Sequence, residues 1–207
     1  MSNKIQKLFL FVPLVLFITL GYFVWDANEM LARLNQFVYE DLIYSEIATH
    51  TTFWRFVTSF GSASFLSATT LLVALYFIYK HDRRDVYLYL GSMLGGLLLV
   101  GAIKNITASD RPHFIGAIEQ TFSFPSGHTA LSTIFLILSA YIYTKNKSHT
   151  HRRIVFVVCA SLSLLIAFSR LYLGEHWVLD IVGGYLLAIF WSSLCIKCIS
   201  SIYSKHR

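Results

Sequence analysis

Charge is what this chain has least of. Asp, Glu, Lys and Arg make up 14% of its 207 residues, against ~25% in an ordinary soluble domain, and mean hydropathy is +0.59. So little charge excludes a conventional water-facing surface and makes lipid the natural solvent. Cysteine is scarce too, with 3 in all. An odd number gives no disulfide framework, and Cys195 and Cys198, spaced i,i+3 in an apolar stretch, lack the further Cys/His pairs of a structural zinc site. They read as packing residues. Low-complexity tracts, internal repeats and stretches polar enough for a soluble domain are missing as well. The formal net charge is +6, yet the basic residues punctuate apolar segments and do not cluster with solvent-facing aromatics, so nucleic acid is not an expected partner.

Long apolar runs are what the chain does have. Six of them, at 8–25, 63–79, 86–103, 126–143, 154–173 and 177–199, come near or exceed the ~18 residues needed to span hydrocarbon as a helix. Only helices or closed barrels satisfy their backbone in lipid. The expected fold class is therefore all-α: a polytopic membrane protein of six transmembrane helices, forming a single integral-membrane domain over 1–207. Lys4 and Lys7 ahead of the first run imitate a signal peptide, but no small-x-small cleavage site follows, and the run reads as an uncleaved span. Residues 26–60 mix acids with Met30, Leu31, Leu34, Phe37, Val38 and Leu42 at near-helical spacing. That pattern predicts an amphipathic helix in the membrane interface, a lid or a lipid guide. Gly91 and Gly95 form a G-x-x-x-G that permits close helix approach.

Orientation follows from the distribution of Lys and Arg, which favours the cytoplasmic side. With the N-terminus inside, Lys4, Lys7, Lys80, Arg83, Arg84, Lys145, Lys147, Arg152, Arg153, Lys197, Lys205 and Arg207 fall on the cytoplasmic side. Arg33, Arg55, Lys104, Arg111 and Arg170 remain outside. The expected location is a bacterial cytoplasmic membrane, with both termini inside.

Three of the outer cations sit at span ends among unusual polar residues. The third run ends in Lys104 and leads to Arg111-Pro112; the fourth opens with Phe124-Pro125-Ser126-Gly127-His128-Thr129; the fifth ends in Ser169-Arg170, followed by His176 and Asp180. Because two crossings return a chain to the same face, all of these meet on one side of the membrane. Three cations with few acids nearby await an anion, and arginines grip phosphate oxygens bidentately. A unit charge pair at ~4 Å is worth ~4 kcal/mol at an effective dielectric of ~20, so binding a phosphate is easily explained. Ser126, Gly127 and His128 open a helix whose free N–H groups and dipole favour an anion, and glycine lets the backbone come close. His176 and Asp180, four apart, share a helix face. The carboxylate then fixes the histidine's tautomer, which suits a nucleophile that carries a phosphoryl group. His128 is placed to protonate the leaving oxygen, a contribution of ~10² to 10⁴ in rate. The cations stabilise charge on the equatorial oxygens, and neither metal nor cofactor is called for.

Competing readings are weaker. Ser126 as a serine-hydrolase nucleophile lacks the G-x-S-x-G elbow. A metal on His128, His176 and Asp180 would be repelled by three cations. His50, His81, His113, His149, His151 and His206 read as solvated or structural. Glu175 and Asp110 read as solvated acids or headgroup contacts outside the core site. A phosphotransferase would share every site residue, and a non-enzymatic headgroup binder would use the cations without the histidines.

These residues resemble the type 2 phosphatidic acid phosphatase superfamily, whose signature is K-x6-R-P, P-S-G-H and S-R-x5-H-x3-D. Lys104, Arg111 and Pro112 match the first part, Pro125 to His128 the second, and Ser169, Arg170, His176 and Asp180 the third. The resemblance implies a phosphoryl-accepting His176 activated by Asp180, and His128 as acid. It makes Lys104, Arg111, Ser126, Gly127 and Arg170 the phosphate ligands. It also implies a lipid phosphate substrate, such as undecaprenyl pyrophosphate, phosphatidylglycerol phosphate or phosphatidic acid, in contact with membrane lipids. Where members often carry a second Arg-Pro, this chain has His113 and Phe114.

Overall fold

The computed structural model describes residues 3–38, 50–112 and 121–204. Among them run eight helices and no strand: α1 Asn3–Trp25, α2 Glu29–Phe37, α3 Thr51–Ser59, α4 Ala63–Tyr79, α5 Arg83–Thr107, α6 Gly127–Tyr143, α7 His149–Tyr172 and α8 Val178–Ser204. Leu42, His113, Phe114, Lys205, His206 and Arg207 lie outside the described residues.

Helix starts are set by short polar side chains that satisfy otherwise unpaired N–H groups. Asn28 accepts from Leu31 N, Ser62 from Phe65 N, Asp82 from Asp85 N, Ser126 from Thr129 N and Ser148 from His151 N. Between the caps the helices are apolar on most sides. The large side chains they leave outside, among them Leu72, Leu98, Val157 and Leu164, are more than half exposed. Polar residues go inward instead: Ser92, Ser132, Ser163 and Ser192 are all buried, and Thr133 Oγ1 and Ser163 Oγ share a hydrogen bond of 2.6 Å between α6 and α7. An apolar exterior over a partly polar interior inverts the soluble arrangement and belongs to an integral membrane protein. Among the described residues, five stretches are long and apolar enough to cross a bilayer: Lys7–Trp25, Thr51–Tyr79, Arg83–Thr107, His149–Tyr172 and Val178–Tyr203. The remaining expected span, Gly127–Tyr143, is a shorter apolar helix of 17 residues.

Helix α8 is central, packing against α1, α5 and α6, while α7 lies on α6 and α4 on α5. One buried cluster gathers Leu88, Tyr89, Met93, Ile134, Leu138 and Ala188; another gathers Phe17, Val100, Phe124, Ala130 and Leu187. The α5–α8 approach is close where Gly95 stands, because a methyl there would lie 2.3 Å from Trp191 Cζ2. Its neighbour Gly96 faces Ile134 of α6, while nothing lies within 4 Å of a methyl on Gly91. The tight seam is thus the adjacent pair Gly95–Gly96 and not the expected i,i+4 pair.

Among its described residues, the 26–60 stretch holds two helices where one was expected. Nothing on α2 is buried, and Met30 is 76% exposed. Helix α3 docks on α7 through Trp54, whose ring meets Phe168 at 5.0 Å and Tyr172 at 5.2 Å.

Candidate active site

Four helix ends meet at one end of the bundle. Lys104 stands in the last turn of α5, which Ala108 terminates in a left-handed conformation (φ 45°), and the chain continues to Arg111. Ser126 caps α6, and the turn ahead of it is anchored by Phe124. That ring is fully buried, stacks on Phe17 at 5.7 Å, and fills the notch left by Gly183, where a methyl would lie 2.4 Å from its Cε2.

Arg170 occupies the last turn of α7. The helix then ends in a Schellman motif: Gly174, at φ 64°, donates to Leu171 O at 2.9 Å, and Glu175 N donates to Arg170 O at 3.0 Å. This geometry folds the second residue past the cap back over the third residue before it. The pair so juxtaposed is Glu175 and Arg170, and their side chains form a buried ion pair. Glu175, expected to be a solvated acid or a headgroup contact outside the core site, is only 7% exposed and lies beside Arg170.

His176 follows at once. Its Nδ1 lies 3.2 Å from Asp180 Oδ2 and 3.3 Å from Ser123 Oγ, with all three residues buried. The same Asp180 oxygen also accepts from Ser123 Oγ and, at 2.8 Å, from Trp177 N. Held this way, the ring turns its Nε2 towards Arg111, 3.4 Å from Nη1. Arg111 itself donates to Glu175 O at 2.6 Å, to Thr121 O at 2.6 Å and to Thr121 Oγ1 at 3.0 Å. Lys104 Nζ donates to the carbonyls of Phe122 and Ser123. Arg170 Nη1 reaches Thr58 Oγ1 on α3 at 3.0 Å.

The residues singled out by the sequence therefore converge, with two distinctions. Ser126 joins Asp180 through its backbone, N to O at 3.0 Å, and spends its hydroxyl on capping at Thr129 N and Thr129 Oγ1. Gly127 opens α6 beside it. His128 stands against the α3–α4 joint, where a methyl on Gly61 would lie 3.2 Å from its Cδ2. That is the joint from whose side Thr58 reaches Arg170. Sequence reasoning missed Ser123, Thr58, Thr121 and Glu175. Only Glu175 carried a usable signal, since a glycine at 174 just past a helix already sets Glu175 over Arg170.

Chemically, the arrangement sets Arg111 beside one imidazole nitrogen whose other nitrogen is held by a carboxylate, with Lys104 bonded to the adjoining Phe122 and Ser123 carbonyls and Arg170 to Glu175. Such a site binds a tetrahedral dianion and presents it to a nucleophile. Comparison with known proteins gives the family. The family described as the PAP2 superfamily matches residues 85–203, more than half of the chain. Phosphatidylglycerophosphatase B of Bacillus subtilis is 29% identical over 136 residues, covering 64% of this chain and 67% of its own length. Undecaprenyl-diphosphatase of Sulfolobus acidocaldarius is 24% identical over 200 residues, covering 93% and 92%. The crystal structure of a transmembrane PAP2-type phosphatidylglycerolphosphate phosphatase from Bacillus subtilis superposes with a TM-score of 0.82. It is 22% identical, covering 92% of this chain and 95% of that one, and it shares the fold.

Proposed function

The chain belongs to the PAP2 superfamily and is a membrane lipid phosphatase of that family, and from that premise we propose a substrate class and a role for each site residue. The substrate is a membrane lipid bearing a terminal phosphate, of the kind the named relatives act on: phosphatidylglycerol phosphate or an isoprenoid diphosphate such as undecaprenyl pyrophosphate. The observation that carries this is the orientation of His176, with Nδ1 held by Asp180 and Ser123 and Nε2 turned to Arg111.

In the proposed reaction Arg111, Arg170 and Lys104 exchange carbonyl and side-chain partners for the phosphate oxygens, and the N–H groups of Gly127 and His128 add helix-end donors. Nε2 of His176 attacks phosphorus as the bond to the leaving oxygen breaks, and His128 gives that oxygen its proton. The Nδ1 proton stays on the ring, stabilised by Asp180. Water then attacks phosphorus, His128 takes its proton, and the P–N bond breaks to release inorganic phosphate. Positive charge for the transition state comes from side chains, so turnover is expected to withstand a chelator.

We read all 207 residues as one membrane domain with six spans. The 17 residues of α6 give a length of about 26 Å, close to the ~30 Å of hydrocarbon, and Ser126, Thr129 and Ala130 at its site end are buried. Helix α2, with no buried residue, suits the interface. Positive-inside counting puts the termini in the cytoplasm and the site on the outer side of a bacterial cytoplasmic membrane.

The test is phosphate release by purified protein in detergent with EDTA, from phosphatidylglycerol phosphate and undecaprenyl pyrophosphate, for wild type and His176→Ala. Wild type is expected to release phosphate, and the variant to fall by at least ~10³-fold, a loss of about 4 kcal/mol in transition-state stabilisation. Undiminished release by a folded His176→Ala would rule the phosphohistidine out.

A further inference from the structure

Glu175 touches both arginines of the site by different means. Its carboxylate pairs with Arg170 Nη2, and its carbonyl accepts from Arg111 Nη1 at 2.6 Å. The Arg170 side chain is 2% exposed, and a guanidinium so deep requires an anionic partner at every stage of the cycle. A phosphate gripped by Arg170 and a carboxylate on the same guanidinium are both anions, drawn to the same donors and repelling each other across a few ångströms. The Schellman turn leaves the carboxylate no choice of address, because the backbone bonds of Gly174 and Glu175 hold it over Arg170.

Building on the phosphate-site reading above, we propose that Glu175 is an internal counter-anion that competes with substrate and product phosphate for Arg170. Between turnovers it neutralises the buried guanidinium and keeps it aimed. During turnover it loosens the hold on phosphate, so that the product leaves. Glu175 is thus a positioning residue with an affinity-setting role, acting through Arg170 and not on the reacting atoms. Thr58, which also bonds Arg170, brings a neutral hydroxyl and only orients.

The two partners predict opposite signs. Orthovanadate, which mimics a phosphoryl group at a nucleophile, is the probe, read as its inhibition constant against phosphate release. Glu175→Gln keeps the shape and removes the charge, and is expected to lower the vanadate constant about tenfold, equivalent to about 1.4 kcal/mol. KM and kcat should fall together as release slows. Thr58→Val is expected to raise the constant about threefold, the effect of losing one orienting hydrogen bond. An unchanged or higher vanadate constant in Glu175→Gln overturns the proposal, since a residue that merely orients Arg170 would act like Thr58. Should the glutamine variant fail to fold, Glu175→Asp draws the carboxylate back by one methylene; it is expected to lower the constant, and a rise overturns the proposal equally. His176→Ala is run alongside. Full turnover by that variant would overturn the phosphate-site reading and this proposal with it. An inactive His176→Ala beside an unmoved vanadate constant in Glu175→Gln would condemn the competition alone.

Discussion

At the end of the bundle where α5 begins, Lys145 Nζ lies 2.6 and 2.5 Å from the two oxygens of Asp85, and Arg84 donates to Tyr141 and Ser200. At the end where α5 finishes, the partners described for Lys104 and Arg111 include the backbone carbonyls of Thr121, Phe122, Ser123 and Glu175. The same residue types thus meet different partners. A carboxylate neutralises the cation it pairs with, whereas a carbonyl satisfies a donor's hydrogen without cancelling its charge. An anion arriving at the second end can take the place of these carbonyls, while at the first it would have to break the Lys145–Asp85 ion pair. The contrast sets charge that fastens helices beside charge bonded to the loops around His176, the end proposed to take the ligand. Arg170 with Glu175 stands between the two cases.

Three substitutions would break or sharpen this contrast. The largest expected effect is at the fastened end. Lys145→Ala leaves the buried Asp85 carboxylate without its cation and should lower stability by about 3 kcal/mol, read by thermal unfolding in detergent. Its kcat/KM per folded molecule should be unchanged, and a tenfold fall there would show that the two ends are not separate. Next comes Arg111→Lys, which keeps the charge but loses the planar fork. A fall of about 10²-fold in kcat/KM is expected, about 2.7 kcal/mol, with the melting temperature held; an unchanged rate would mean that charge alone suffices at the ligand end. The smallest is Gly174→Ala. A side chain at φ 64° costs about 1 kcal/mol, and the disturbed turn should cost activity several-fold. Lost stability at full activity would show that the turn is only a helix stop.

Much of this was readable in the chain. Helix positions followed from apolar runs, because in lipid a long apolar run has few other ways to satisfy its backbone. The convergence of Lys104, Arg111, Arg170, His176 and Asp180 followed from counting crossings. What escaped had no period or charge to announce it. Ser123 is one serine in a polar loop, and its contact with His176 and Asp180 exists only once α5, α6 and α8 have met. Thr58 reaches Arg170 from 112 residues away, in a stretch whose spacing suggested a single surface helix. Glu175 was legible but misjudged: an acid outside the signature looked like a solvated one, although Gly174 marked the turn that buries it.

That turn also has a consequence for how such a site can diversify. Backbone bonds between main-chain atoms set where residue 175 sits, and those bonds are indifferent to the side chain it carries. Location and chemical character are therefore inherited separately at this position. A single codon change could trade acid for amide, or for something larger, directly over Arg170 without redrawing the helix end, the nucleophile or its carboxylate. The loop behaves as a socket, in which affinity for the ligand is retuned by swapping one insert.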